Sequence, residues 1–378
     1  MPLTAREQEI LDLLRDEPLI KPAEIARRLK TSRAAVAVHL SALGKKALIQ
    51  GRGYVLADQR YVVAIGGANM DVKCRLLAPA AMGSSNPARS AMAPGGVARN
   101  IAHNLALLGR PVKLLSAVGQ DGLGERLIAA AADAGIDCHG VLRLPEPTGL
   151  YAATLDSGGE LLLAAAAMAI MERLTTDYLV AHERTIAGAG LIVADGNLPA
   201  PSLEWLMELA ARRGRDLAIA AVSVPKAAGI AALLAARRPL FALFCNRIEI
   251  EVLAGRTLAS ERELRAALNE LHGRGVRHIA VGLGRAGVLV SSRMDYGIAH
   301  RQVPAIDGEI VDVTGAGDAA VAGTIHGLMN GLDLVRAATL GQAAAALTLQ
   351  SDQSVNPALN AQRLEELRRA HYHPAIRP

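Results

Sequence analysis

The chain has 378 residues, 51% hydrophobic and 20% charged, which is enough apolar material for two domains or for one large domain with an appendage. No apolar run approaches the roughly 20 residues of a membrane span, and charges from Arg6 onward argue against a secretory signal. Cys74, Cys138 and Cys245 are scattered and odd in number, which excludes a disulfide framework or zinc ribbon and points to a reducing cytoplasm.

Charge is unevenly placed. Residues 1–60 hold 11 Lys+Arg against 7 Asp+Glu, net +4, whereas the rest of the chain holds 30 against 29. A basic leading module of this kind is expected to meet an acidic polymer. Within it, Leu3-Thr4 opens a helical pattern through Arg15, with Ile10, Leu11 and Leu14 on one face and Pro18 ending it. Pro22 suits the first turn of a second helix through Leu29. Thr31-Ser32 caps a third, whose apolar face is Val36, Leu40 and Leu43 and which Gly44 is expected to close. Ala47–Leu56 reads as a hairpin. Three short helices and a ribbon resemble a winged helix-turn-helix over residues 1–57. That resemblance implies DNA as partner, with Ser32, Arg33, Ala37 and Lys45 toward the groove, Arg33 on a base edge, Lys45 and Lys46 on phosphates and Arg52 in the wing. A dimerisation or docking module with an ordinary solvated face fits the same residues.

From Tyr61 the pattern changes. Tyr61–Ile65 reads as a buried strand running into Gly66-Gly67-Ala68-Asn69-Met70-Asp71. Gly95-Gly96 leads into a helix with Val97, Ile101, Leu105 and Leu108 on its core face. Further strands are expected at 191–194, 217–220, 241–244 and 278–283, separated by helix-length segments. Such alternation predicts a mainly parallel sheet covered by helices on both faces, with its site at the strands' C-terminal ends. Segments 71–95 and 149–167 are strand-like without being core-like, and are expected to form a small β-lid.

Polar residues gather at the expected strand ends. Asn69 and Asp71 offer an amide and a carboxylate to sugar hydroxyls, Gly95-Gly96 would let backbone approach a ligand, and Asn100 lies one turn beyond Gly96. Asn246 and Glu249 are three apart, on one helix face. They could orient phosphate and the water shell of Mg²⁺, or simply form a capping box. Gly282-Leu283-Gly284-Arg285-Ala286-Gly287 spells G-x-G-x-x-G, but the β-branched run Val288–Ser291 follows it where a dinucleotide fold needs a helix. A glycine hairpin against a nucleotide is expected instead. No G-x-x-x-x-G-K-[ST] occurs, so a P-loop is excluded. Asp312-Val313-Thr314-Gly315-Ala316-Gly317-Asp318 precedes a helix-forming run. Its turn amides and helix N-terminus form an anion hole, with Asp318 at the mouth as a base for a hydroxyl proton.

This last stretch resembles the DTGAGD signature of ribokinase-like (PfkB) carbohydrate kinases. The order GGANMD, GGVARN, CNRIE, GLGRAG, DVTGAGD is similar to that family over about residues 61–372. The resemblance implies a three-layer α/β/α core with a β-lid, and transfer of a phosphoryl group from ATP, with Mg²⁺, to a sugar or nucleoside hydroxyl. It implies Asp318 as catalytic base, and Gly315, Ala316 and Gly317 as the anion hole. Asn69, Asp71, Gly95, Gly96 and Asn100 fall at sugar-side positions, Asn246, Gly284 and Gly287 at nucleotide-side ones, and Glu249 near Mg²⁺. Asn356 falls near the adenosine or a loop for a monovalent cation such as K⁺. Similarity is greatest to pseudouridine kinases, through Ser85-Asn86-Pro87, Gly96–Gly109, Ala194–Asn197 and Val222-Ser223. Ala166-Ala167 and Ala220-Ala221 stand where that group has polar or acidic residues, and Gly282 stands for a usual Thr. The expected protein is thus a cytoplasmic ATP-dependent kinase, a homodimer suiting both modules. The alternative is a ligand-sensing transcription regulator built on the same fold.

Overall fold

The computed structural model describes residues 3–46, 48–49 and 61–372. The leading module contains α1 (Ala5–Asp16), α2 (Pro22–Arg28) and α3 (Arg33–Lys45). Thr4 and Glu7 form a reciprocal capping box on α1, and Ser32 Oγ accepts the Ala35 amide at 3.1 Å to start α3. Ile10, Leu14, Ile25, Val36 and Leu43 are fully buried against one another. Gly44 lies inside the last turn of α3 and does not close it, because Lys46 is the C-cap and bonds back to Ala42. The expected hairpin over 47–56 and Arg52 fall largely or wholly outside the described residues.

The body begins with β1 (Val62–Ile65), β2 (Asn69–Leu76), β3 (Ala88–Gly95), α4 (Val97–Leu107), β4 (Val112–Leu115), β5 (Ala117–Gly119), α5 (Gly122–Asp133) and β6 (Leu142–Leu144). Then come β7 (Leu150–Leu155), β8 (Leu161–Ala167), α6 (Thr176–Ala181), α7 (Glu183–Ala187), β9 (Leu191–Asp195), α8 (Ala200–Arg213), β10 (Leu217–Ala220) and α9 (Val224–Leu234). It finishes with β11 (Leu240–Asn246), α10 (Arg247–Ala254), α11 (Glu261–Gly273), β12 (Val276–Gly282), β13 (Val288–Met294), β14 (Gly297–Val303), α12 (Ala316–Met329), α13 (Leu334–Leu349) and α14 (Ala361–His371).

Eight strands form the central sheet in the order β14-β13-β12-β11-β10-β9-β1-β4. The six from β12 to β4 run parallel, and β13 and β14 are antiparallel additions. Side chains alternate through it. Val63 and Ile65 join Leu206 and Ile219 on one face, while Val62 and Ala64 join Ile101 and Ile325 on the other. Being covered on both faces is why the strands read as continuous apolar runs. Each fully buried Ile or Leu contributes about 1.5–3 kcal/mol.

The chain leaves β1 to one side through β4 and returns to the other side as β9. This reversal opens a crevice beyond the carboxyl ends of β1 and β9, where ligands bind in open α/β sheets. Above it stands a separate four-stranded sheet, β3-β2-β7-β8, built from the two segments expected to form a lid. The G-x-G-x-x-G stretch is a hairpin joining β12 to β13, with Gly282 opposite Val288.

Candidate active site

The starts of α12 and α4, the end of β9 and the lid strand β2 bring their polar groups together around Asp318. Gly315 caps α12 with φ +81°, and a Cβ there would stand 1.8 Å from the Ser354 carbonyl oxygen, so no larger residue fits this turn. Behind the turn, the amides of Gly317 and Asp318 meet no acceptor among the described residues. They are the orphan donors of a helix N-terminus, and open space surrounds Gly317.

Asp318 is half-buried in the third position of α12. Its Oδ2 accepts a bond from Asn100 Nδ2 at 2.8 Å. Burial pushes its carboxyl up to about 7, and the nearby carboxylates Asp195 and Asp71 add to the rise, against the Asn100 bond and the Arg99 charge. A base poised there is about half ionised at neutral pH and basic enough, once ionised, to take a hydroxyl proton.

Helix α4 supplies the floor. Arg99 is 3% exposed, and its Nη1 donates to Asn100 Oδ1 at 2.6 Å, so guanidinium, amide and carboxylate form one chain ending at Asp318. Burial lowers the Arg99 pKa to about 10 against the pull of Asp71 and Asp318. Its Nη2 donates to His103 Nδ1 at 3.1 Å, and His103, buried beside that charge, is pushed down to about 4 and is therefore neutral.

Asp195, wholly buried at the end of β9, ties the floor to the sheet. Its Oδ2 accepts the amides of Gly67 and Ala98, each at 2.9 Å, and its Oδ1 accepts that of Asn197 at 2.8 Å. It thereby fixes the turn after β1 against the start of α4. Burial raises its pKa despite those bonds. Asn69 and Asp71, on one face of β2, are joined by a 2.6 Å bond, and Ser354 Oγ reaches Asp71 at 3.3 Å. Burial raises Asp71 as well.

Gly95 and Gly96 work differently from expectation. A Cβ on Gly95 would stand 2.3 Å from Asp71 Oδ2, and one on Gly96, at φ +95°, would stand 2.4 Å from the Gly67 carbonyl oxygen. The protein itself fills the space that a side chain at either position would need. Their bareness lets the lid and the turn after β1 pack against α4.

A cavity of about 250 Å³ adjoins Asp318 and Gly317 on the side of β10, β11 and β12. Its walls are mostly apolar, including Ala220, Phe244, Ala280, Val288 and Val321. Val222, also in its wall, holds φ +74°, a costly conformation for a β-branched residue and one that clusters at functional sites. Asn246 and Glu249 line it too. They form the full capping box of α10, with Asn246 accepting the amides of Ile248 and Glu249 at 2.9 Å and Glu249 Oε2 accepting that of Asn246 at 2.9 Å. The capping role and a place in the cavity coexist. A larger cavity of about 550 Å³ lies at the opposite end of α12, among His326, Arg336, Arg368 and Tyr372, remote from this constellation.

Three nucleotide-side positions are used otherwise. Gly284 and Gly287 shape the hairpin, where a Cβ on Gly287 would stand 2.1 Å from the Val303 carbonyl oxygen. Neither lines the cavity. Asn356 Nδ2 donates to the Leu347 carbonyl at 2.5 Å and its Oδ1 accepts the Ala358 amide at 2.9 Å, fastening the loop after α13. In the leading module Ser32 and Arg33 are at the exposed start of α3, with Ser32 acting as N-cap. Lys46 Nζ is held by Glu7 at 2.8 Å, an ion pair inside the module and not an outward-facing charge.

Arg99, Asp195 and Lys73 were absent from the sequence-based site. Lys73 Nζ bonds Asp312 and, at 2.7 Å, Thr314 Oγ1. The alternation Asn69, Asp71, Lys73 along a strand was a legible signal for it. Arg99 had only its adjacency to Asn100.

Comparison with known proteins accords with this geometry. The chain is 36% identical over 357 residues to the uncharacterized sugar kinase YeiI of Escherichia coli K12, spanning 94% of this chain and 96% of that one. It is 33% identical to the pseudouridine kinase of the same organism over 81% of this chain and 95% of the relative. Among solved structures, a carbohydrate kinase from Agrobacterium tumefaciens superposes with TM-score 0.69 at 29% identity, covering 82% and 97% of the two chains. Arabidopsis thaliana ribokinase, solved with ribose and ATP, shares the fold at TM-score 0.69 and 20% identity, covering 82% and 98%. A winged helix-turn-helix DNA-binding model matches residues 3–50, and the pfkB family carbohydrate kinase model matches residues 59–361. The chain therefore belongs to the pfkB family of carbohydrate kinases and carries a winged helix-turn-helix ahead of its kinase body.

Proposed function

We propose that this sugar or nucleoside kinase phosphorylates a hydroxyl of a ribosyl compound, with a pseudouridine-like C-nucleoside as the favoured acceptor and Asp318 as the base. The observation that carries the reading is Asp318 itself, lifted to about 7 and set beside two acceptor-free amides. Those amides and the adjoining cavity fit a nucleotide triphosphate. ATP, when bound, supplies the phosphoryl group. Asp318 accepts the hydroxyl proton, the amides after Gly315 hold the phosphoryl oxygens, and Asn100 keeps the carboxylate aimed. No cluster of three metal-ligating side chains occurs among the described residues. Mg²⁺ would thus be held by Glu249 and Asn246 through water, as suits an ion reluctant to dehydrate.

Asn69 and Asp71 support a polyhydroxyl acceptor, and the similarity to pseudouridine kinases supports the C-nucleoside. Ala166 and Ala167, exposed on β8, present no polar group to a base. A panel of nucleosides, C-nucleosides and free sugars with coupled ADP detection tests the proposal. Turnover of pseudouridine above the other acceptors is expected. Rapid phosphorylation of a hexose phosphate, with none of any ribosyl compound, would overturn it.

A second reading, a ligand-sensing regulator, draws on the contact between the modules. Arg213, ending α8, and Arg215, just before β10, donate to the carbonyls of Lys45 and Lys46 at the end of α3, the latter at 2.9 Å. Strand β10 ends at Ala220, in the wall of the nucleotide cavity. On this reading ligand binding and DNA binding are coupled, so the ligand must favour one state. DNA affinity measured with and without ATP and nucleoside, across a salt series, tests it. Loss of one phosphate contact by Lys45→Ala should reduce the salt slope by about 1. Ligand-independent affinity would reject the coupling.

A further inference from the structure

We propose that Lys73, carried by the lid, is a catalytic residue that stabilises the phosphoryl group during transfer and rests on Asp312 between turnovers. The inference deepens the kinase reading and rests on it. β2 is hydrogen-bonded on both sides, to β3 and β7, so the Lys73 backbone moves only with the lid while its flexible side chain carries the ammonium. It shares a strand face with Asp71 and Asn69, two and four residues back, and Asp71 meets Ser354 and lies near enough to Asp318 to raise its pKa.

The Lys73 ammonium crosses from lid to core and enters the loop that forms the anion hole. It bonds Asp312 and Thr314, the latter one residue before the Gly315 turn. Burial alone would raise the Asp312 carboxyl, yet bonds from Lys73 and Thr314 hold it below its ordinary value. An ammonium has three donors. Two are used here, and the third has no acceptor among the described residues. The pair is half-buried, with side chains 22% and 23% exposed, so its field is only partly screened.

During transfer the bond from phosphorus to the leaving diphosphate breaks and one to the acceptor oxygen forms. The acceptor's proton goes to Asp318. Lys73 makes and breaks no covalent bond. It extends a charge-assisted hydrogen bond to a phosphoryl oxygen and complements the amides behind Gly315. Asp312 keeps the ammonium at the hole when no phosphate is present.

The test compares wild type, Lys73→Met and Asp312→Asn in two assays. One is calorimetric binding of Mg²⁺–ADP with and without fluoroaluminate, a planar mimic of the phosphoryl group in flight. The other is kcat on the acceptor identified by the panel. Lys73→Met should weaken fluoroaluminate–ADP binding roughly 10–100-fold, with ADP alone changed less than about 3-fold. Its kcat should fall roughly 10²–10³-fold. Asp312→Asn frees the ammonium but keeps its charge, and should preserve the preference for fluoroaluminate within about 3-fold. A lid latch without a catalytic role makes the two variants equally defective, because both break the same pair. That result, or a Lys73→Met protein that keeps the preference, overturns the proposal. The kinase reading fails separately. A wild type that prefers fluoroaluminate and loses the preference with Lys73→Met, yet turns over no acceptor, rejects the assigned reaction and leaves the role of Lys73 standing.

Discussion

The two sides of the cleft are built on opposite plans. On the proposed acceptor side, Asp71, Arg99, Asn100 and Asp195 are nearly or wholly buried, and each is bonded to another polar group of the protein. On the proposed nucleotide side the wall is mainly alanine, valine and phenylalanine, with Thr324 and Gln342 also in it and Asn246 and Glu249 engaged in their capping box. A pre-bonded polar site discriminates strongly, because a ligand lacking a partner leaves buried groups unpaired. An apolar wall discriminates by shape alone. On the proposed reading, selection of the acceptor falls to fixed hydrogen bonds, and retention of the nucleotide falls mainly to the helix N-terminus and to fit.

The largest test of this contrast is Asp318→Asn, which should lower kcat roughly 10²–10⁴-fold while binding of both ligands persists. In wild type, kcat/KM should rise with pH and level off above about 7, where the carboxyl of the free enzyme is ionised. The stability consequence has the opposite sign. A carboxyl whose folded pKa is raised holds its proton more tightly in the native state, so its contribution is greatest below the unfolded value near 4 and is lost as pH rises through about 7. Asp318→Asn should therefore unfold at a higher temperature than wild type at pH 8, and the gap should narrow toward pH 5. Equal melting temperatures at pH 8 would show that the carboxylate is not strained by burial.

Asp71→Asn comes next in size. It keeps the shape and removes an acceptor from a site where every partner is fixed. We expect kcat/KM for the acceptor to fall about 10–100-fold, equivalent to about 1–3 kcal/mol, with KM for ATP unchanged. A matching rise in KM for ATP would show that the two sides are not separable.

What the sequence could disclose follows the same division. The strands at 62–65, 191–195 and 217–220 were legible because a sheet covered on both faces needs unbroken apolar runs. The hairpin after Gly282 was legible because Val288–Ser291 is β-branched. Asp318 and the turn before it stand in one contiguous stretch. Arg99 and Asp195 were not legible, because only the tertiary fold brings a guanidinium beneath Asp318 or two backbone amides onto one buried carboxylate. Internal contacts of other residues were hidden for the same reason. Gly95 and Gly96 look open in sequence, but Asp71 and Gly67 occupy their space, and Asn356 looks ligand-directed until Leu347 and Ala358 claim its amide.

The proposed nucleotide side can be tested by adding a hydroxyl to its mainly apolar wall. Gly282 ends β12, and a Cβ there meets only the Cys245 carbonyl oxygen, at an ordinary 3.8 Å. Its backbone is that of a strand, which accepts a β-branched residue. Gly282→Thr places a hydroxyl at the cavity wall and should lower KM for ATP by about 2–10-fold, the worth of one net hydrogen bond. Acceptor KM should not move. An unchanged or higher KM for ATP would mean that shape, not missing polarity, limits this side.

The smallest effect is expected where the core reaches across to the acceptor side. Ser354 belongs to the loop after α13, is 3% exposed, and meets Asp71 Oδ2 at 3.3 Å, a long bond. Its carbonyl oxygen abuts Gly315, so one residue touches both the acceptor carboxylate and the anion-hole turn. Ser354→Ala removes the hydroxyl and leaves that backbone contact in place. Asp71 then keeps its bond from Asn69 but loses one that opposes the effect of burial, so its pKa should rise further. We expect KM for the acceptor to increase about 2–3-fold, with kcat and KM for ATP unchanged, and the increase should be larger at low pH, where more Asp71 is protonated. A fall in kcat comparable to that of Lys73→Met would instead show that Ser354 governs the Gly315 turn, and that the acceptor and phosphate sites are coupled through this loop.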